Sequence, residues 1–271
     1  MNKDRYSGLA KAYSSQLLIE WQDGKEVIVK QVEPQERESE LYFQAQLQSL
    51  GLSAMEMYSD PRGLIILFIP DAQTLGDKET PELYERLGHT LRLLHAREFD
   101  RCFFIDASGN EQEYPWADFV QHTLAAGRDR QNKMQGLSTD TVERITGKLG
   151  LEQLSCIGTP RLLHGDLHAN NVLIHQDDLY VFDKADQMMA GDPMYDMALF
   201  AITLPGALYG VGNEVERDKK FLDALIRGYG FDFSADRGRL DAYVLLRALE
   251  RCPNPFEPEI PEIVDRILIS L

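Results

Sequence analysis

Apolar positions recur in two rhythms along this chain, alternating near its start and helical through most of its remaining length. Residues 14–21 and 26–32 are alternating or β-branched runs separated by Gln22-Asp23-Gly24-Lys25, and Asp-Gly between such runs predicts a hairpin. Residues 34–50 take a helical pattern that Gly51 stops. A second strand pair comes at 54–59 and 64–69 around Asp60-Pro61-Arg62-Gly63, where Pro in the second position and Gly in the fourth suit a type I turn. From Thr80, a cap followed by Pro81, the pattern turns helical, and Leu83, Leu87, Leu91 and Leu94 form one stripe. Further helices are predicted after Pro115, through Trp116, Phe119, Val120 and Leu124, and from a Ser138 cap to about residue 154. Residues 193–205, 214–229, 235–252 and 260–271 read likewise, broken at Gly206, Gly230 and Pro253-Asn254-Pro255. The stretch between Phe99 and Tyr114, with Asp106, Ser108, Gly109 and Asn110, is expected to be an irregular surface loop. One late hairpin interrupts the helices, with strands at 172–175 and 179–183 turning at Gln176-Asp177-Asp178. Strands with one helix, then helices with one hairpin, make a two-lobed α+β architecture. Its boundary falls near residue 70, giving lobes at 1–70 and 71–271.

Composition narrows the partners. The chain of 271 residues has ample material for a core, as one large domain or two small ones. A net charge of −16 and a pI near 4.8 argue against nucleic acid, whose phosphates would be repelled. Cys102, Cys156 and Cys252 include no C-x-x-C pair, so neither a disulfide framework nor a zinc site is implied, and a reducing cytoplasm fits best. The start of the chain leads into no apolar signal region, and the longest apolar run, residues 64–70, is far too short to cross a membrane.

Candidate chemistry gathers around the late hairpin. In His164-Gly165-Asp166-Leu167-His168-Ala169-Asn170-Asn171 the first acid and the last amide are five apart, the separation of the catalytic Asp from the metal-binding Asn in the protein-kinase catalytic loop. The hairpin returns Asp183 to the neighbourhood of Asn171. Carboxylate and amide oxygens are hard ligands that suit Mg²⁺, which takes its other ligands from waters and nucleotide phosphates. Asp166 is then left free of metal duty and can accept the proton of a substrate hydroxyl. Lys30 ends the β-branched run Val27-Ile28-Val29, as the nucleotide-binding lysine does in Val-Ala-Ile-Lys. His164, Asp166 and His168 also admit a metal-dependent hydrolase, yet no H-E-x-x-H or second His cluster accompanies them.

The stretch at 164–171, the strand-ending Asp183 and Gly191-Asp192-Pro193-Met194-Tyr195-Asp196 together resemble the signature of the aminoglycoside phosphotransferase and choline kinase family. The resemblance implies a protein-kinase-like fold with ATP or GTP between its lobes. It implies transfer of the γ-phosphoryl group to a hydroxyl of a small acceptor of aminoglycoside, sugar or amino-alcohol type. By the same resemblance Asp166 is the catalytic base, Asn171 and Asp183 hold Mg²⁺ with Asp186 as the rival carboxylate, and Asp196 braces the catalytic loop. Lys30 would meet the α and β phosphates while Glu40 holds it, since Glu40, Leu47 and Gly51 match the family's spacing; Glu36 and Glu38 compete for that role. The adenine edge would lie against the carbonyl of Leu67 and the N–H of Ile69, ahead of Pro70, which has no N–H.

Two departures from the family pattern matter. Residues 6–16 hold a single glycine, Gly8, so Ser14 and Ser15 become the candidate phosphate contacts, as in the serine-bearing loops of parts of the family. Lys184 comes after Asp183 where the family has an apolar or acidic residue. If the strand continues, alternation sends Lys184 to the opposite face with its ammonium in solvent. If the strand ends at Asp183, the ammonium turns into the cleft and favours an anionic acceptor. A protein kinase would need a long activation segment after Asp183, and Gly191-Asp192-Pro193 arrives almost at once. A nucleotide-binding scaffold without turnover is the remaining alternative.

Overall fold

Two hairpins open the fold, in a computed structural model that describes residues 17–22, 24–150, 154–155, 158–184 and 188–270. Ser14, Ser15, Asp23, Cys156 and Asp186 lie outside the described residues. β1 (Leu17–Gln22) pairs antiparallel with β2 (Lys25–Lys30), Gln22 opposite Lys25. After α1 (Pro34–Ser49) come β3 (Met57–Asp60) and β4 (Gly63–Leu67), and the antiparallel sheet runs β1-β2-β4-β3. Gly63 is required twice over. Its φ of 144° is a conformation L side chains rarely adopt, and a Cβ there would stand 2.2 Å from the Lys30 carbonyl oxygen. Alternation places Val27, Val29 and Ile65 on one face of the sheet and Ile28, Leu64 and Ile66 on the other. Lys30 shares the face of Ile28, and that face packs on Leu173 and Phe182 of the late hairpin.

The rest of the chain is mainly helical. β5 (Gln73–Thr74) leads to α2 (Pro81–Leu94), which starts where Thr80 Oγ1 accepts the Leu83 N–H at 3.3 Å and which buries Leu87, Leu91 and Leu94. Residues 99–114 are not the irregular loop expected, for β6 (Phe103–Ile105) and β7 (Glu111–Glu113) form a hairpin. Asp106 closes its turn by accepting the N–H groups of Ser108 at 2.8 Å and Asn110 at 2.9 Å, the local bonding that makes Asp a turn residue. α3 (Trp116–Met134) comes next, then α4 (Thr139–Lys148), which ends short of the expected residue 154 because the backbone turns extended at Leu149.

Beyond these lie β8 (Arg161–Leu162), the late hairpin of β9 (Val172–His175) and β10 (Asp178–Val181), and β11 (Ala190–Gly191). β9 also pairs with β5, so the segment after the first sheet is tied to the late hairpin. α5 (Met194–Thr203), α6 (Pro205–Tyr209), α7 (Val215–Tyr229), α8 (Arg237–Arg251) and α9 (Ile260–Ser270) complete the order. α5 is buried from Met194 to Ile202 and packs against α8. Each Leu or Phe so buried contributes about 1.5–3 kcal/mol, which makes α5 a rigid base for the loop above it. No helix among the described residues is long and apolar enough to cross a membrane.

Candidate active site

Asp196, in the first turn of α5, is fully buried and binds the loop that begins at His164 by its main chain. Oδ2 accepts the His164 N–H at 2.9 Å and Oδ1 the Gly165 N–H at 2.7 Å. His95, which caps the C-terminal end of α2, stands 3.3 Å from Oδ2 through Nε2, while its Nδ1 meets the Tyr229 hydroxyl at 3.0 Å. Burial alone would raise the Asp196 pKa; the bonds from His95 and His164 hold it below the ordinary aspartate value. The His164 ring is buried too. Its Nδ1 accepts the Asp166 N–H at 3.2 Å, so Nε2 carries the proton and donates to the Phe182 carbonyl at 2.8 Å. Burial depresses its pKa and keeps the ring neutral, a fixed link between loop and hairpin.

From this frame three sequence candidates converge. Asn171 donates through Nδ2 to the Asp166 carbonyl at 2.9 Å, while its Oδ1 is buried with no hydrogen-bond partner. An orphaned buried acceptor costs about 1–3 kcal/mol, so its persistence points to a ligand that it meets in use. Asp183 lies beyond β10 at a φ of +60°, and its Oδ1 accepts from Lys30 Nζ at 2.6 Å. Lys30 also donates to Glu36 at 2.7 Å, the competitor for the role given to Glu40. Desolvation lowers the Lys30 pKa, but Asp183 and Glu36 outweigh it and hold it above the ordinary lysine value.

Glu40 is engaged elsewhere. Its Oε2 accepts the Lys184 N–H at 2.6 Å and its Oε1 accepts from Gln44 at 2.9 Å. Burial, and then the Asp183 charge, push its pKa up to about 6 against the pull of Lys30. Glu38 pairs with Arg37 at 3.0 Å. Leu67 ends β4 and Ile69 packs on the cluster of Ile28 and Phe182, the sheet face that Lys30 shares. The solvent-facing Lys184 of the continuing-strand reading is corrected. The left-handed backbone at Asp183 breaks the alternation, and Lys184 is buried, donating through Nζ to the Met188 carbonyl at 3.0 Å.

Sequence reasoning missed the groups that surround Asp166 itself. Arg251, at the end of α8, stands 2.5 Å from Asp166 Oδ1, and Arg247 one turn earlier stands 3.5 Å from it while donating to the Gly165 carbonyl at 2.9 Å. Glu257 accepts both Nε and Nη2 of Arg251, at 2.7 and 2.5 Å. Arg247 and Arg251 share a helix face by their spacing, the one local signal available, but nothing local aims that face at Asp166. Desolvation would raise the Asp166 pKa; Arg251, His168 and Arg247 hold it below the ordinary value. His168 accepts the Asn170 N–H on Nδ1 at 3.2 Å, which leaves its proton on Nε2, 3.7 Å from Asp166 Oδ2.

The sequence profile of the phosphotransferase enzyme family, APH, matches residues 6–243, most of the chain. The chain belongs to this family. Solved structures share the fold. A thermostable mutant of aminoglycoside phosphotransferase APH(4)-Ia, in a ternary complex with ADP and hygromycin B, is 18% identical at a TM-score of 0.65, with 94% of each chain covered. Another mutant of the same phosphotransferase, with AMP-PNP and hygromycin B, is 17% identical at a TM-score of 0.66, with 97% of each chain covered. The choline kinase LicA from Streptococcus pneumoniae is 16% identical at a TM-score of 0.60, covering 94% of this chain and 90% of that one. No curated protein matches the chain. Phosphotransferases of this family have the two-lobed, protein-kinase-like fold, and the first sheet with α1 forms the small lobe.

Proposed function

We propose that this phosphotransferase moves the γ-phosphoryl group of ATP to a hydroxyl of a small acceptor, with Asp166 as the base. The observation that carries the reading is Asn171, which fastens the main chain of Asp166 with one end of its amide and presents an unpartnered buried oxygen with the other. That oxygen and the Asp183 carboxylate fit Mg²⁺, which takes few protein ligands and completes its shell with phosphates and water. A bound Mg²⁺ would neutralise phosphate charge. Lys30 would meet the α and β phosphates, with Glu40 fixing the segment that carries Asp183 through the Lys184 N–H.

The nucleotide would lie between lobes divided near residue 70, its adenine against Leu67 and Ile69, and GTP is the alternative donor. The acceptor oxygen forms a bond to the γ-phosphorus as the bond to the β–γ bridging oxygen breaks, ADP leaves, and the hydroxyl proton passes to Asp166. Similar structures of aminoglycoside phosphotransferase APH(4)-Ia hold hygromycin B in ternary complexes, which supports a polyhydroxyl compound as first candidate acceptor. The test is MgATP consumption against aminoglycosides, sugars, amino alcohols and hydroxy acids. Asp166→Ala should lower kcat by about 10²–10⁴ with nucleotide affinity little changed; equal turnover in the variant would sink the assignment.

A further inference from the structure

The two oxygens of Asp166 have different surroundings. Oδ1 lies 2.5 Å from Arg251 Nη1 and 3.5 Å from Arg247 Nη2, whereas Oδ2 faces His168 Nε2 at 3.7 Å, beyond hydrogen-bond length. Arg251 is itself held. Its Nε and Nη2 donate to the two oxygens of Glu257 in the fork-to-fork manner that fixes a guanidinium plane, and Glu257 also accepts from Asn254 at 2.9 Å. The Arg251 and Glu257 side chains are 15% and 7% exposed. The pair therefore joins the end of α8, the turn after it and the base into one ionic chain.

A carboxylate on its own turns easily, because the terminal torsion of Asp is broad and roughly two-fold. With one oxygen bound to a clamped, planar cation, that rotation is blocked and the other oxygen keeps a fixed direction. We propose that Arg251, clamped by Glu257, is a positioning residue: it anchors Oδ1 so that Oδ2 is the atom that takes the acceptor proton. This rests on the reading of Asp166 as the base. Arg251 exchanges neither proton nor electrons during transfer; it decides where the acceptor oxygen finds its hydrogen-bond partner. Misplacing a reacting group by about 1 Å costs on the order of 10²-fold in rate, which sets the size of effect expected.

The test compares Arg251→Ala, Arg251→Lys and Glu257→Gln with the wild type, using MgATP and hygromycin B, or water as the acceptor in ATP hydrolysis if hygromycin B is not phosphorylated. Arg251→Ala should lower kcat by about 10²-fold while KM for MgATP stays unchanged, and guanidinium at sub-denaturing concentration should restore part of the loss. Arg251→Lys keeps the charge without the fork and should fall between. Glu257→Gln loosens the clamp without touching Asp166 and should lower kcat alone, so it carries the test if Arg251→Ala does not fold. Wild-type kcat in a folded Arg251→Ala, or in Glu257→Gln where Arg251→Ala fails to fold, overturns the proposal. So does a loss shared equally by kcat and MgATP affinity that guanidinium does not repair, the mark of a merely structural role. Asp166→Asn run alongside separates the two readings. If it turns over normally, the base assignment fails and the positioning role falls with it; if it is dead while Arg251→Ala is active, the positioning role alone fails.

Discussion

Glu40 holds a carboxyl group 3% exposed, between the Lys184 N–H and Gln44, with a pKa raised from 4.5 to about 6. Because the folded value lies above the unfolded one, the folded protein keeps this proton longer, and stability falls as pH rises from about 4.5 through 6. A shift of this size corresponds to about 2 kcal/mol. Glu40→Gln retains an acceptor for the Lys184 N–H and removes the titration. Urea unfolding should therefore show the wild type losing about 2 kcal/mol relative to the variant between pH 4.5 and 7; a flat difference would return Glu40 to ordinary behaviour. Residues of this kind differ in how visible they are beforehand. That Asp166 and Asn171 meet, with Asp183 returned beside them, is legible because one loop and one hairpin fix their separation. Arg251 is not, because its contact with Asp166 spans 85 residues and leaves no trace in local pattern. Lys184 misleads for a third reason: alternation presumes an extended backbone, and Asp183 at a φ of +60° ends it.

At the scale of elements, turn chemistry decides what can be read. Asp-Gly at 23–24, Pro61 with Gly63, and the Thr80 cap each announce an element, because each satisfies a specific backbone need. The hairpin of β6 and β7 stays hidden, since three-residue strands are too short to display a period and its Asp106 turn looks like any polar loop. β5, two residues long, is hidden likewise although it ties β9 to the segment after the first sheet. Gly63 lets one turn be tested for both stability and function. A methyl group there would strike the Lys30 carbonyl oxygen at 2.2 Å. Gly63→Ala should cost at least about 1–3 kcal/mol of stability by denaturant titration, and it should weaken MgATP binding because the displaced strand carries Lys30. Loss of stability with nucleotide affinity intact would separate the β2–β4 register from the nucleotide site.

Across the whole molecule, nucleotide binding and folding should be one linked event. Lys30 comes from the small-lobe sheet and Asp183 from just beyond the β9–β10 hairpin, and they meet at 2.6 Å. Behind them Ile28, Leu64 and Ile66 of the sheet share one apolar cluster with Leu173 and Phe182 of the hairpin. A ligand gripping both groups binds the folded chain and not the unfolded one, so MgATP at about 100 times its Kd should add about 2.7 kcal/mol of stability. Removing Asp183 deletes a full charge from the proposed metal site, whereas removing Asn171 deletes a neutral oxygen. Thermal unfolding with ATP, with and without Mg²⁺, should show the Mg²⁺-dependent part of the gain lost in Asp183→Ala and reduced by less in Asn171→Ala. Asp183→Ala also releases Lys30 from one ion pair, so ATP without Mg²⁺ should bind it no worse than the wild type, its phosphates meeting a lysine no longer neutralised by Asp183. An Asp183→Ala protein that Mg²⁺ still stabilises as strongly as the wild type would place the metal on other oxygens and leave Asp183 as the partner of Lys30 alone.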